Sequence, residues 1–127
     1  MVGLDIERTP KAKIYDFICK EMEESSNDLL KASSIAYRPG RVTKETAWGI
    51  LARVYMFRAG EHYRDKTSPD KAKIKEYFKQ AGLFASKVKD EGGFSLAPNY
   101  WDFFIDQCAN RYNSTANESM WEAEFTG

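Results

Sequence analysis

"KETAWGILARVYMFRAGE", residues Lys44 to Glu61, decides the fold. Ala47, Trp48, Ile50, Leu51, Ala52, Val54, Tyr55, Met56, Phe57 and Ala59 fall on nearly every side of a helix with 3.6 residues per turn. A helix with one broad face in water does not carry that pattern, so this one is expected to be the central helix. Thr43, just before it, suits an N-cap. Gly49 gives up about 1 kcal/mol of helix propensity relative to alanine, a cost that goes with the close approach of a neighbour.

Working upstream, Thr9-Pro10 reads as a cap followed by proline at the first helical position, where its missing N–H costs nothing. Ile14, Phe17, Ile18, Met22, Ser25 and Leu29 then share one face, which predicts a helix from about Pro10 to Ala32. "YRPGR" breaks it with a turn. Downstream, Ser68-Pro69 repeats the cap-plus-proline signal, and Ile74, Tyr77, Phe78, Ala81, Ala85 and Val88 form an apolar stripe that ends at Gly92-Gly93. "PNYWDFF" from Pro98 suggests a short aromatic helix. "DQCANRYNSTANES" is loop-like, and "MWEAEF", Met120 to Phe125, alternates as a strand does but has no strand to pair with. The chain therefore reads as all-α, with three main helices, one short aromatic helix and a C-terminal strand segment. The unpaired strand suggests that residues 1–127 are a single partial domain.

The 19 basic and 19 acidic residues cancel, so no long-range field favours nucleic acid or anionic lipid, and no nucleic-acid partner is expected. No run approaches the ~18 apolar residues of a membrane span, and "MVGLDIERTP" lacks the basic start and apolar core of a signal peptide. The chain is expected to be soluble. Cys19 and Cys108 form neither a disulfide framework nor a C-x-x-C metal pair.

His62 is the single histidine, and no nucleophile is marked beside it. Glu21, Glu23 and Glu24 read as lining solvent faces of helices, and no phosphate loop or metal cluster is present in the pattern. Neither a cofactor nor enzyme activity is expected. Lys71, Lys73, Lys75 and Lys79 read as a solvated face. Two N-glycosylation patterns, at Asn113 and Asn117, read as polar turns.

In the aromatic cluster, helical spacing sets Tyr100 beside Phe103 and Phe104, and Trp101 beside Phe104 and Ile105, with Asn99, Asp102 and Asp106 toward water. The favoured reading is a core plug closing the end of the second and third helices. The alternatives are a sugar platform at Trp101 and Asp102, or contact with parts of a longer chain. The candidates for ligand contact are Trp101 and, in the loop that follows, Tyr112.

Three segments carry a resemblance. "GRVTKETAWGILARVYMFRAG", Gly40 to Gly60, resembles the most recognisable part of the SusD/RagB family, matching at Arg41, Val42, Thr43, Lys44, Ala47, Leu51, Ala52, Arg53, Val54 and Tyr55. "AGLFASKVKDEGGFSLAPNYWDFF" is similar to the family's helix ending in a glycine pair, with its "YSL-x-PNY" sequel. "NESMWEAEF" resembles the family's "NSE" stretch leading into a β-strand. The similarity covers about Thr9 to Phe125, the middle of a family member.

The resemblance implies tetratricopeptide-like helical hairpins in an outer-membrane lipoprotein of Gram-negative bacteria. Such a protein binds oligo- or polysaccharides and works with a TonB-dependent transporter of the SusC type. Neither Cys19 nor Cys108 stands where the lipid would be attached. Glycan contacts in the family generally come from loops outside the helical scaffold, so no binding residue carries over. Two other readings stay open, a tetratricopeptide-type interaction module without ligand and a glycan-active enzyme.

Overall fold

The computed structural model describes residues 7–35, 40–65, 67–109, 111 and 118–122. Among these the chain is all-α: α1 (Lys11–Asp28), α2 (Lys44–Arg64), α3 (Lys71–Glu91) and α4 (Tyr100–Cys108), with a 3-10 turn at Ala32–Ser34. Of the expected strand segment, Met120, Trp121 and Glu122 are not in a strand, and 123–125 lie outside the described residues. No described helix is long and apolar enough to cross a membrane.

α2 holds the centre, packing α1 against one side and α3, more extensively, against another. Its first turn is fixed by Thr43, whose Oγ1 accepts from the Thr46 N–H at 3.3 Å. A line of Ala47, Trp48, Leu51, Tyr55 and Ala59 is buried at spacings of three and four. Burial is nevertheless one-sided: Ile50, Met56 and Phe57 are exposed, because α1 and α3 cover only part of the helix. Gly49 meets its expected neighbour, since a Cβ there would lie 3.1 Å from the methyl of Met120. The Thr46 hydroxyl also donates to the Met120 carbonyl at 3.4 Å.

α1 departs from its expected boundaries and face. Pro10, not Thr9, is its N-cap, with no side-chain hydrogen bond. The helix ends at Asp28 because the next residues fold onto the start of α2: the Ala32 N–H donates to the buried Glu45 carboxylate at 2.8 Å, and the Lys44 N–H to the Leu30 carbonyl at 3.0 Å. Cys19 and Ser26 face the core, with Tyr15, Met22 and Glu23 half-buried, whereas Ile14 and Phe17 point out. Hydrogen bonds from Arg58 and Tyr55 of α2 to Asp16 and Glu23 set this roll in preference to the more apolar face.

α3 starts later than the Ser68-Pro69 signal suggests. Asp70 caps it, accepting from the Lys73 N–H at 3.0 Å, while the Ser68 N–H donates to Asp65. Its core line is Tyr77, Ala81 and Phe84, with Ile74 and Val88 half-buried; Phe78 and Ala85, two members of the expected stripe, are exposed. Tyr55 and Phe84 stack across the α2–α3 interface, with centroids 5.9 Å apart and planes 5° from parallel.

The glycine pair ends α3 as read, and each glycine has a separate reason. Gly93 has φ of 68°, the left-handed conformation that favours glycine. Gly92 is sterically closed: a Cβ would lie 2.4 Å from the Val88 carbonyl oxygen and 2.8 Å from the Phe94 ring. Gly92→Ala should therefore cost about 2 kcal/mol. Gly82→Ala, in mid-helix with no atom near the new methyl, should gain about 0.5–1 kcal/mol. Urea unfolding of both variants checks this, and effects of the same sign would contradict the packing at Gly92.

Candidate functional site

A charged residue on the buried line of α2 organises the polar interior. Arg58 has only 7% of its side chain exposed. Its Nη2 donates to Asp16 Oδ1 at 2.5 Å and to the Tyr77 hydroxyl at 2.9 Å, and its Nη1 reaches Cys19 Sγ at 3.5 Å. The guanidinium carbon lies 4.2 Å from the centroid of the Tyr77 ring, with Tyr15 and Tyr55 near 6 Å. Burial alone would lower the pKa of Arg58. Hydrogen bonds to Asp16 and Cys19, with the electrostatic influence of Tyr77 and Cys19, outweigh that and raise it, so the cation is permanent.

Beside it the Tyr55 hydroxyl donates to Glu23 Oε1 at 2.6 Å. Burial, and then the Glu23 carboxylate, push the Tyr55 pKa far above the ordinary value, so this hydroxyl remains a donor. Sequence reasoning passed over Arg58. The signal was present, for position 58 continues the spacing of Leu51 and Tyr55 around the same face.

Two open clefts meet at Arg58, and Asp16 and Tyr77 line both. One, of about 450 Å³, lies where the N-termini of α1 and α3 meet the C-terminal turn of α2. The other, of about 310 Å³, lies farther along α1 and includes Cys19, Glu23 and Tyr55. His62 lines the first cleft, half-buried, with its ring 5.8 Å from that of Tyr77. It makes no hydrogen bond to a hydroxyl or thiol among the described residues, so no nucleophile–base pair is assembled there. Nor does any group of three His, Cys, Asp or Glu among the described residues suit a metal ion. Cys19 is buried, Cys108 exposed, and both are free thiols.

The aromatic cluster overturns the plug reading. α4 is capped by Asn99, whose side-chain oxygen accepts from the Trp101 N–H at 3.1 Å, and it contains no buried residue. Tyr100 is 70% exposed and Trp101 67%, with Phe104 and Ile105 half in water; Phe103 is the ring partly covered. Tyr100 and Phe104 stack on one another, centroids 6.4 Å apart and planes 19° from parallel, and so present a shared aromatic surface. The helix is held by polar contacts instead: the Ala97 N–H donates to Glu118 Oε2 at 2.7 Å, and Gln107 Nε2 to Glu122 Oε1 at 2.9 Å. Periodicity located the helix and the Tyr100–Phe104 pair but could not say whether anything covers them. Tyr112 lies outside the described residues, as do Asn113 and Asn117. Lys71, Lys73, Lys75 and Lys79 are exposed along α3.

Exposure makes a stability prediction. Trp101→Ala should change stability by less than about 0.5 kcal/mol, and Phe104→Ala by less than about 1 kcal/mol, as for surface positions. Thermal unfolding followed by circular dichroism checks both. A loss near 3 kcal/mol for either ring, the size expected of a core aromatic, would restore the plug.

Comparison of the chain with protein-family models, with curated proteins and with solved structures finds no match. What fold and site define is an all-α protein with an ion-paired interior and an outward-facing aromatic helix.

Proposed function

We propose that this chain is the helical scaffold portion of a SusD-like glycan-binding protein, one that captures oligo- or polysaccharide at the outer-membrane surface for a TonB-dependent SusC-type transporter. The observation that carries the reading is the uncovered aromatic surface of α4. Flat rings exposed to water beside Asn99 and Asp102 are what stacking on the C–H face of a sugar requires. The likeness of residues 40–60 to the family adds to it. Those residues supply the Thr43 cap and the buried Leu51 and Tyr55 of α2. α2 and α3, two 21-residue helices joined by a short loop and packed together, support the reading of a tetratricopeptide-like hairpin. The work is capture, not chemistry, and the full-length protein would be lipid-anchored.

A second reading is favoured by one observation. Phe17 of α1 and Met56 and Phe57 of α2 are also exposed, as they would be in an interaction module that binds protein and no ligand. Affinity purification of the full-length protein from detergent-solubilised outer membranes separates the two. A β-barrel transporter recovered in stoichiometric amount supports the uptake reading; recovery of soluble protein partners alone overturns it.

A further inference from the structure

The charges of the larger cleft do not cancel. Four cationic side chains, Lys11, Arg58, Arg64 and Lys73, line it against three carboxylates, Asp16, Glu61 and Asp65. Two of the cations are spoken for: Lys11 pairs with Glu61, and Arg58 with Asp16. Asp65 is turned into the loop, where its Oδ1 accepts from the Thr67 and Ser68 N–H groups at 3.0 and 3.2 Å. Arg64 and Lys73 are left with no carboxylate partner among the described residues.

Backbone polarity points the same way. α1 begins at this cleft with no side-chain cap and no acidic residue in its first turn. Pro10 O takes the N–H groups of Lys13 and Ile14, and those of Lys11 and Ala12 have no acceptor among the described residues. Of the helix ends at this cleft, the N-terminus of α1 carries no carboxylate, whereas Asp70 caps that of α3 and α2 presents its C-terminus, so the dipole that favours an anion here is that of α1. Arg64 is steadied as well, its guanidinium lying over the Phe57 ring at 5.7 Å.

We infer that this cleft binds a small-molecule oxyanion, a phosphate, sulfate or carboxylate group, held between Arg64 and Lys73 with the first-turn N–H groups of α1. The fork of Arg64 suits two oxygens of one group, and Lys73 supplies a point charge from the facing helix. About 450 Å³ accommodates such a group on a small organic skeleton. This inference is independent of the glycan reading, because α4 takes no part in the cleft.

The test is a titration of the whole chain with inorganic phosphate, followed through backbone amide NMR signals at ionic strength held constant with sodium chloride. Saturable movement of the Lys11, Ala12, Arg64 and Lys73 signals is expected. The Arg64→Gln/Lys73→Gln variant should bind about tenfold more weakly, and Lys79→Gln, an exposed lysine outside the cleft, should bind as the parent does. Sulfate and galacturonate titrations tell which oxyanion the cleft prefers; saturation by either at the same amides supports the site. Both glutamine variants alter exposed side chains, and their unchanged spectra elsewhere would verify folding. No saturable shift with any of the three anions would overturn the inference, as would equal weakening by Lys79→Gln.

Discussion

Leu51→Ala is expected to cost about 2 to 5 kcal/mol, the largest effect of any single truncation in the chain. Leu51 is 0% exposed and lies on the buried line of α2, in a core with Cys19 of α1 and Ala81 and Phe84 of α3. A cavity there would be walled by all three helices at once, so no one of them can close it without losing contact with another. Much of the cost should therefore appear as unfilled volume in addition to lost transfer energy. The core is small, and if Leu51→Ala leaves too little folded protein to measure, Leu51→Val gives the same test on a smaller scale. Met56, on the same helix but 54% exposed, should lose less than about 1 kcal/mol on truncation. Urea unfolding of Leu51→Ala and Met56→Ala measures the difference. Equal losses would mean that α2 does not sit between α1 and α3.

Arg58→Ala should cost about 3 kcal/mol, for a different reason. Its guanidinium joins Asp16 of α1 to Tyr77 of α3 across α2, so truncation removes the hydrogen bonds to both and the face contact with the Tyr77 ring together. Asp16 can turn to water, being two-thirds exposed, which tempers the loss. The Tyr77 hydroxyl and the Cys19 thiol, on largely buried residues, lose their partner. Arg58→Met keeps most of the volume without the charge and should cost less than Arg58→Ala, because an apolar chain carries no desolvation penalty. Measured by the same unfolding curves, a methionine variant as unstable as alanine would show that the charge, rather than the filled volume, holds the helices.

These two positions also show what the sequence discloses. The all-α class, the central place of α2, the Thr43 cap, the glycine stop of α3 and the neighbour at Gly49 are legible from the sequence, although spacing does not separate buried Leu51 and Tyr55 from exposed Ile50, Met56 and Phe57. Each of these depends on chemistry within one helix or on a single steric demand. The roll of α1 is not legible that way. Phe17 looks like core and is 63% exposed, because the choice of face is made by Asp16 and Glu23 meeting Arg58 and Tyr55 on another helix. Boundaries fail for a similar reason: α1 stops at Asp28 because Glu45, remote in sequence, takes the Ala32 N–H. At the candidate site, the pairing of Tyr100 with Phe104 follows from spacing, whereas their exposure depends on what lies beyond the helix.

The central claim is that the α4 rings face outward to take a ligand, and calorimetric titration of the full-length protein with oligosaccharides, set against its Trp101→Ala variant, tests it most directly. The account predicts saturable binding that Trp101→Ala weakens by about five- to tenfold, in line with the ~1 to 1.5 kcal/mol of a ring contact, while the melting temperature stays unchanged. Binding that survives Trp101→Ala intact, or a Trp101→Ala variant that unfolds, would contradict it.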